Sequence, residues 1–261
     1  MSRLELKNVS LSFGGVKAVQ NFSMTAEEGQ IIGIIGPNGA GKTTIFNVIS
    51  GVYTADSGQI FLDGEEITRL AQHKIALKGI SRTFQNIRLF HGLNCLENVQ
   101  TTLDSCSNYN LLDALLLTPR RRREEKRTRL RALEELQWVG LGDYVLENPE
   151  NLSYGLQRKL EIARALATSP KLLLLDEPAA GMNNDECIEL SKLLRQIQKQ
   201  FKVTIIIIEH HIDLVVDLCD RICVLNLGKV LKIDVPHVIQ NDEEVIQSYL
   251  GSRKEQSDEQ Q

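Results

Sequence analysis

Residues 36–44 read GPNGAGKTT and narrow the possible folds more than any other part of the chain. They follow a continuous apolar run, Ile31–Ile35, and they precede a pattern typical of a helix, from Thr43 to Ile49. A buried strand, a glycine-rich loop and a helix start form the setting in which G-x-x-x-x-G-K-[ST] predicts a phosphate-binding loop. The alternative is a glycine-rich turn that merely links a strand to a helix, and the Gly-Lys-Thr ending makes this the weaker interpretation.

Each part of this stretch has a defined chemistry toward a phosphate. Glycines allow consecutive backbone N–H groups to surround an anion, and the start of the following helix adds the positive end of its dipole. We expect Lys42 to add a point charge and Thr43 to offer its hydroxyl to Mg²⁺. The residues predicted to bind the nucleotide here are Gly36, Pro37, Asn38, Gly39, Ala40, Gly41, Lys42, Thr43 and Thr44.

Composition limits the class of protein. The 261 residues, 42% of them hydrophobic and 25% charged, suffice for one large α/β domain or two small ones. A net charge of -4 argues against nucleic acid as a partner. The five cysteines include no C-x-x-C pair, so we expect reduced thiols. Because no secretory signal or membrane-length apolar run occurs, we expect a cytosolic protein unless a partner holds it at a membrane.

The first 85 residues are rich in short strand patterns. We expect the strands that precede the phosphate loop to form a small antiparallel sheet, and we expect two further strands and one short helix after the loop. The predicted strands are Leu4–Phe13, Val16–Val19, Phe22–Met24, a strand within Ser57–Gly64 and Ile80–Phe84, and the predicted helix is Ile75–Lys78.

Between Leu93 and Asn151 the pattern becomes that of an all-helical insertion. It contains an apolar block, Leu111–Leu117, and a run of arginines, Arg120–Arg123. The arginines suggest a patch for lipid headgroups or nucleic acid. Because acidic residues and an apolar stripe follow directly, a solvent-exposed helix start is the better interpretation.

After Ser153, helices and strands alternate again. This order predicts an α/β fold with a mostly parallel core sheet that is covered on both faces. The last ten residues, Ser252–Gln261, carry no apolar pattern, so we expect them to be disordered. The predicted helices are Tyr154–Ala167, Asp185–Phe201 and Ile212–Leu218, and the predicted strands are Lys171–Leu175, Val203–Ile208, Ile222–Leu225 and Val230–Ile233.

Two carboxylates follow the apolar strand that ends at Leu175. Hydrolysis of ATP requires a carboxylate at a strand end that holds Mg²⁺, and we expect Asp176 to be that residue. It also requires a group that polarises the attacking water, and Glu177 is the natural general base. A strand that is simply capped by acidic residues is the alternative, and the phosphate loop upstream argues against it.

A second helix start, at Ser153 and Gly155, has the features of an anion site. Ser153 is a good N-cap, and its hydroxyl and the N–H groups of the first turn can bind a phosphate. Two phosphate-binding helix starts in one chain are explained if the second serves a nucleotide that is bound by another copy or a relative.

Taken together, these motifs resemble the nucleotide-binding subunit of an ATP-binding-cassette (ABC) transporter over nearly the whole chain. In that family two cassettes face each other head to tail and enclose two ATP molecules. The resemblance implies that Ser153 and Gly155 contact the γ-phosphate held by the partner's phosphate loop. It also implies that Phe13 stacks on adenine, that Gln85 reaches Mg²⁺ and the attacking water, and that His210 contacts the γ-phosphate. From the residues alone, Phe13 could equally be an ordinary strand residue.

The resemblance implies a P-loop NTPase fold of the ABC ATPase type, with an antiparallel β subdomain at the amino-terminal end. It places one domain at residues 1–251, with a helical subdomain inserted at about residues 86–168 and a tail at 252–261. The loop Ala180–Asn183 would cross to the opposing cassette.

Finer details resemble the cassettes of branched-chain amino acid importers, with urea and short-amide importers as close relatives. They include Arg82–Gln85, Glu209-His210 and the ending Val245–Gly251. The resemblance implies ATP and Mg²⁺ as ligands, and membrane permease subunits and a second cassette, identical or different, as partners. It also implies an extracytoplasmic substrate-binding protein and a place at the cytoplasmic face of the membrane.

Three residues depart from the family's pattern. Leu156 stands where the family's signature motif, which Ser153 and Gly155 match, has glutamine; Asn183 replaces an acidic residue, and His211 stands where aspartate is usual. None of the three removes a predicted ligand of phosphate, metal or water.

The alternatives to a transport cassette of an importer are a soluble cassette of translation or DNA repair, an export cassette, and a P-loop kinase or GTPase. Soluble cassettes of translation or repair usually have two cassettes, a coiled coil or a zinc motif, and export cassettes generally lack the long insertion. P-loop kinases and GTPases lack the signature helix, which here begins after Ser153, and the switch histidine, which here is His210.

Overall fold

The structure is a computed structural model that describes residues 2–104 and 119–248. These residues form two compact units. The first unit comprises the described residues of Met1–Arg82, Lys171–Ala180 and Asn184–Gln261. The second unit comprises those of Thr83–Pro170 and Gly181–Asn183. The predicted helix at Leu111–Leu117 and the predicted disordered tail lie outside the described residues.

The first unit contains two sheets. The strands, in chain order, are β1 (Ser2–Phe13), β2 (Val16–Glu27), β3 (Ile31–Ile35), β4 (Ser57–Leu62), β5 (Glu65–Glu66), β6 (Ile80–Arg82), β7 (Leu172–Asp176), β8 (Thr204–Ile208), β9 (Arg221–Asn226) and β10 (Lys229–Asp234). An antiparallel sheet has the order β2-β1-β4-β5, and a six-stranded sheet has the order β10-β9-β3-β8-β7-β6. In the larger sheet all neighbours are parallel except β9 and β10, which form a hairpin.

The helices divide between the units. The first unit contains α1 (Lys42–Ile49) and α2 (Gln72–Leu77), and the second contains α3 (Cys95–Asp104), α4 (Pro119–Trp138) and α5 (Tyr154–Ala167). The first unit also contains α6 (Asn184–Phe201), α7 (Ile212–Leu218) and α8 (Pro236–Gln240). Two short 3₁₀ turns, Gly142–Tyr144 and Pro149–Asn151, precede α5. Arg122 and Arg123 of α4 are exposed, in agreement with a solvated face for the arginine run.

The core of the first unit lies between its two sheets, around α1. Strands β3, β7 and β8 are buried along their whole length, which explains why they read as continuous apolar runs rather than alternating ones. Phe46 of α1, Phe22 of the antiparallel sheet and Ile34 of the parallel sheet belong to the same apolar cluster. The helix after the phosphate loop therefore packs against apolar residues of both sheets.

Some predicted boundaries are wrong. The two pieces predicted at Val16–Val19 and Phe22–Met24 are one strand, β2, whose pairing with β1 contains register shifts. The strand predicted at Ile80–Phe84 ends at Arg82, where its pairing with β7 ends. The helix predicted to start at Ile75 begins at Gln72. In the described part of the chain, no helix is both long and apolar enough to cross a bilayer.

Candidate active site

The glycine-rich loop between β3 and α1 is shaped by its close approach to neighbouring backbone. A Cβ atom at Gly36 would lie 2.2 Å from the carbonyl oxygen of Leu225, and one at Gly41 would lie 2.4 Å from that of Ala18. Gly41 also has a φ of 98°, which favours glycine. The first turn of α1 is closed by a hydrogen bond from the N–H of Ile45 to the carbonyl of Gly41 (3.0 Å). The N–H groups of that turn therefore face the loop, as phosphate binding requires.

Lys42 lies buried at the start of α1, with 6% of its surface exposed. Its Nζ atom donates to the carbonyl oxygens of Gly36 (2.7 Å) and Pro37 (2.9 Å). Burial lowers the pKa of the Lys42 ammonium, and the nearby carboxylates of Glu177 and Asp176 oppose this change. The loop thus encloses a cation close to two carboxylates, which is the charge arrangement that a triphosphate and a metal ion would fit.

Asp176 ends β7 and is 3% exposed. Its Oδ2 atom accepts a hydrogen bond from Nη2 of Arg82 at 2.9 Å. The Nη1 atom of Arg82 donates to Oδ1 of Asn47 (2.6 Å) and to Oγ of Ser50 (3.2 Å), both near the end of α1. Arg82 therefore links the helix that follows the phosphate loop to the carboxylate that we predict to bind the metal ion. No sequence pattern predicted a separate role for Arg82.

Glu177 lies directly after β7 and has a φ of 47°, which is unusual for a residue with a side chain. The hydrogen bond from its N–H to the carbonyl of Ile208 (2.9 Å) holds it in this conformation. Its Oε1 atom lies 2.9 Å from Nε2 of His210, and the side chains are 16% and 41% exposed, respectively. A partly exposed carboxylate that is paired with an imidazole can polarise a water molecule.

Glu209 is a buried carboxylate with 1% of its surface exposed, and no sequence pattern predicted a separate role for it. Its Oε1 atom accepts from the N–H of Ala179 (2.7 Å), and its Oε2 atom accepts from the N–H of His210 (3.1 Å). Burial raises the pKa of Glu209, while the N–H groups of Ala179, His210 and His211 oppose the rise. Glu209 therefore joins the segment after Glu177 to His210. The available signal in the sequence was its place directly after a buried strand.

Phe13, the last residue of β1, is 44% exposed. Its ring meets the ring of Tyr53 edge to face, with 5.1 Å between centroids and 70° between planes. This contact supports the Phe13 ring from one side, and an exposed aromatic ring is a suitable surface for a planar base.

Gln85, Ser153 and Gly155 belong to the second unit. Gln85 is exposed, and its carbonyl oxygen accepts from Nη2 of Arg158 at 3.0 Å. Ser153 is the N-cap of α5, and its Oγ atom accepts from the N–H of Leu156 at 3.5 Å. Gly155 is buried in the first turn of α5, and Leu156, which stands at the usual glutamine position, is half-buried.

Known proteins resemble this chain along most of its length. Residues 19–180 match the sequence profile of the ABC transporter family. The chain is 43% identical over 253 residues to BraF of Pseudomonas aeruginosa, a high-affinity branched-chain amino acid transport ATP-binding protein. That match covers 96% of this chain and 99% of BraF.

Solved structures extend the comparison to the fold. The ADP conformation of MJ1267, an ATP-binding cassette of an ABC transporter, has a TM-score of 0.84 and 29% identity, covering 96% of this chain and 99% of that one. The cassette MJ0796, in a dimeric post-hydrolysis state with ADP and phosphate, has a TM-score of 0.74 and 26% identity, covering 89% of this chain and 98% of that one. The chain therefore belongs to the ABC transporter family and is an ATP-binding and ATP-hydrolysing cassette of that family.

Proposed function

We propose that this chain powers the import of branched-chain amino acids by hydrolysing ATP. The observation that carries the proposal is the 43% identity with BraF along almost the full length of both chains. A cassette does not touch the transported substrate, so the substrate class rests on this likeness. The pairing of Glu177 with His210 supports the hydrolytic part of the proposal.

The phosphate loop and Lys42 would hold the phosphates of ATP, with Phe13 against the base. Glu177 would accept a proton from the attacking water, and His210 would orient Glu177 and contact the γ-phosphate. Glu209 accepts hydrogen bonds from the N–H groups of Ala179, two residues after Glu177, and of His210. These bonds would keep the backbone of Glu177 and of His210 in place.

A magnesium ion fits this site because a phosphate oxygen, a hydroxyl and a carboxylate form a suitable set of oxygen ligands. Thr43 and Asp176 would hold it, with Gln85 in the assembled site. When bound, the ion would neutralise charge on the phosphate oxygens. Among the described residues, no group of three or more histidine, cysteine or acidic side chains could hold a metal ion by itself.

We further propose that the working form is a pair of cassettes, as in the dimeric MJ0796 structure. Ser153 and Gly155 would contact the nucleotide that the partner's phosphate loop holds. Closure is then a shift of population toward a state in which each ATP has contacts to both cassettes. Membrane permease subunits would receive this motion and hold the pair at the cytoplasmic face, and an extracytoplasmic protein would deliver the substrate.

The experiment is a mild affinity purification of the tagged chain from native membranes, with identification of the co-purifying proteins by mass spectrometry. We expect two multi-span membrane proteins and a second cassette to co-purify with the tagged chain. We also expect the purified complex to transport leucine when it is placed in vesicles. Recovery only from the soluble fraction, or with ribosomes or DNA, would contradict a role in transport. A complex that transports urea or a short amide in place of leucine would contradict the substrate class alone.

A further inference from the structure

Arg158 on α5 is completely buried, with 0% of its surface exposed. Its guanidinium donates to two consecutive main-chain carbonyls, Nη1 to Phe84 (2.9 Å) and Nη2 to Gln85 (3.0 Å). Nη1 also donates to Oε2 of Glu161 (2.6 Å), and Nη2 donates to the hydroxyl of Tyr154 (3.0 Å). Most of the bonding capacity of this side chain is therefore used on one segment of backbone and on the first turns of its own helix.

Glu161 completes the arrangement from the next turn of α5. It is 5% exposed, and its Oε1 atom accepts from the N–H of Phe84 at 3.3 Å. Burial raises the pKa of Glu161, and the charge of Arg158 is the main influence that opposes it. The N–H of Phe84 is thus bonded to Glu161 and its carbonyl to Arg158, the two members of one buried ion pair.

The segment that this pair holds has no regular secondary structure from Thr83 to Phe90. Its backbone groups have no ladder of strand or helix partners, and at Phe84 and Gln85 the side chains of the pair supply hydrogen bonds in its place. A pair that served packing alone could be replaced by apolar side chains at little cost, because a buried ion pair is expensive to desolvate. The bonds to the carbonyls of Phe84 and Gln85 could not be replaced in that way.

Arg158 also lies close to the other predicted contact surface of the second unit. Ser153 caps the same helix five residues earlier, and a rise of about 1.5 Å per residue places the two positions on consecutive turns of one rigid element. A movement of the Gln85 backbone is thereby tied to a movement of the turn that carries Ser153 and Gly155.

We propose that Arg158 is a positioning residue that makes the Gln85 segment and the Ser153–Gly155 turn move as one body. This inference rests on the proposed function, in which Gln85 serves the cassette's own ATP and Ser153 serves the ATP held by the partner. The state of one nucleotide site is then transmitted to the other through the Arg158–Glu161 pair. The coupling is contained within each chain, so it does not require a change in the core sheet.

The test compares Arg158→Met with Arg127→Met in the purified full-length chain. Arg127 is a matched control because its side chain is 74% exposed on α4, in the same unit. For Arg158→Met we expect ATP affinity by calorimetry within about twofold of wild type, since the phosphate-binding residues belong to the first unit. We expect kcat to fall about 100-fold, the size of effect that a misplacement of about 1 Å can produce. The ATP dependence should lose cooperativity, and hydrogen exchange should rise in residues 84–90 and 153–157 but not in α3 or α4.

A lysine has one nitrogen in place of the planar guanidinium and cannot reproduce all four bonds that Arg158 makes, so Arg158→Lys should recover only part of kcat. Unchanged kcat and cooperativity in Arg158→Met, with faster exchange at 84–90, would overturn the inference. So would faster exchange throughout the second unit without a selective effect on residues 84–90. If Arg158→Met does not fold, Glu161→Gln replaces it, and wild-type cooperativity in that variant would overturn the inference. Absence of ATP hydrolysis by wild type would instead contradict the proposed function, so the two failures are distinguishable.

Discussion

The Oε1 atom of Glu177 and the Nε2 atom of His210 are 2.9 Å apart, within hydrogen-bonding distance. They follow the neighbouring parallel strands β7 and β8, in which Asp176 is paired with Ile208. The N–H of Glu177 also donates to the carbonyl of Ile208. The backbone therefore fixes the separation of the two segments that carry the Glu177 and His210 side chains. The contact between Glu177 and His210 is therefore a product of strand register.

Glu177→Gln should bind ATP and barely hydrolyse it. The amide keeps the shape of the side chain but cannot accept a proton, and general-base catalysis is worth about 10²–10⁴ in rate. Steady-state phosphate release and ATP calorimetry on the same preparation measure both properties. Glu243→Gln, an exposed site of the same charge change, should behave as wild type. Hydrolysis at the wild-type rate by Glu177→Gln would remove Glu177 from its proposed role.

Lys42→Ala should lose affinity for ATP. The change removes a buried cation whose ammonium lies against the carbonyls of Gly36 and Pro37, and a hydrogen bond to a charged group is worth about 1.5–3 kcal/mol. Calorimetry should show at least about a tenfold weaker Kd. The exposed Lys199→Ala variant serves as the control. Equal affinity of Lys42→Ala and wild type would be inconsistent with a phosphate-binding role of the loop.

Gly41→Ala should destabilise the fold more than Gly39→Ala. Both positions have positive φ, but a Cβ at Gly39 would meet nothing within 4 Å, whereas one at Gly41 would lie 2.4 Å from a backbone oxygen. The strain alone costs about 1 kcal/mol, and the clash adds to it only at Gly41. Urea unfolding of the two variants gives the difference directly. Equal free energies of unfolding would show that the loop can move away from Ala18 without cost.

Glu209→Gln should slow hydrolysis and change the pH dependence of stability. An amide cannot accept from the N–H groups of both Ala179 and His210, so we expect kcat to fall by about tenfold, the cost of one hydrogen bond to a charged group. Burial raises the pKa of Glu209 in the folded protein. Its stabilising contribution is therefore present below the usual glutamate pKa of about 4.3 and is lost as the pH rises through the raised value.

The free energy of unfolding of wild type, relative to Glu209→Gln, should thus fall as the pH increases across that window. Chemical unfolding at a series of pH values measures this difference, with Glu243→Gln as the control for the loss of an exposed carboxylate. A difference that is constant with pH would mean that Glu209 titrates alike in the folded and unfolded states.

Phe13→Ala should weaken ATP binding, since stacking between a base and an aromatic ring is worth about 1–3 kcal/mol. Phe13→Tyr keeps the ring and should retain wild-type affinity. Binding of ATP and of inorganic triphosphate should be compared, because only the nucleotide has a base to stack. A similar loss for both ligands would mean that Phe13 acts on the loop and not on the base.

The phosphate loop, the core strands and the signature helix could be predicted because a pattern within one continuous stretch of sequence indicates each of them. Arg82, Arg158 and Glu209 could not be given roles in this way, because Arg82 meets Asp176 and Arg158 meets Phe84 only after the chain has folded. The break predicted within β2 has a local cause. Asn21 has a φ of 48°, and the register with β1 shifts nearby, so the apolar alternation is interrupted although the strand continues.

Uptake of radiolabelled leucine by cells that carry either the wild-type chain or Glu177→Gln at the native locus tests the central claim most directly. We predict rapid, energy-dependent uptake with wild type and near-complete loss with Glu177→Gln, at equal amounts of membrane-associated protein. Uptake of leucine at the same rate in both strains would contradict the conclusion that ATP hydrolysis by this cassette powers branched-chain amino acid import.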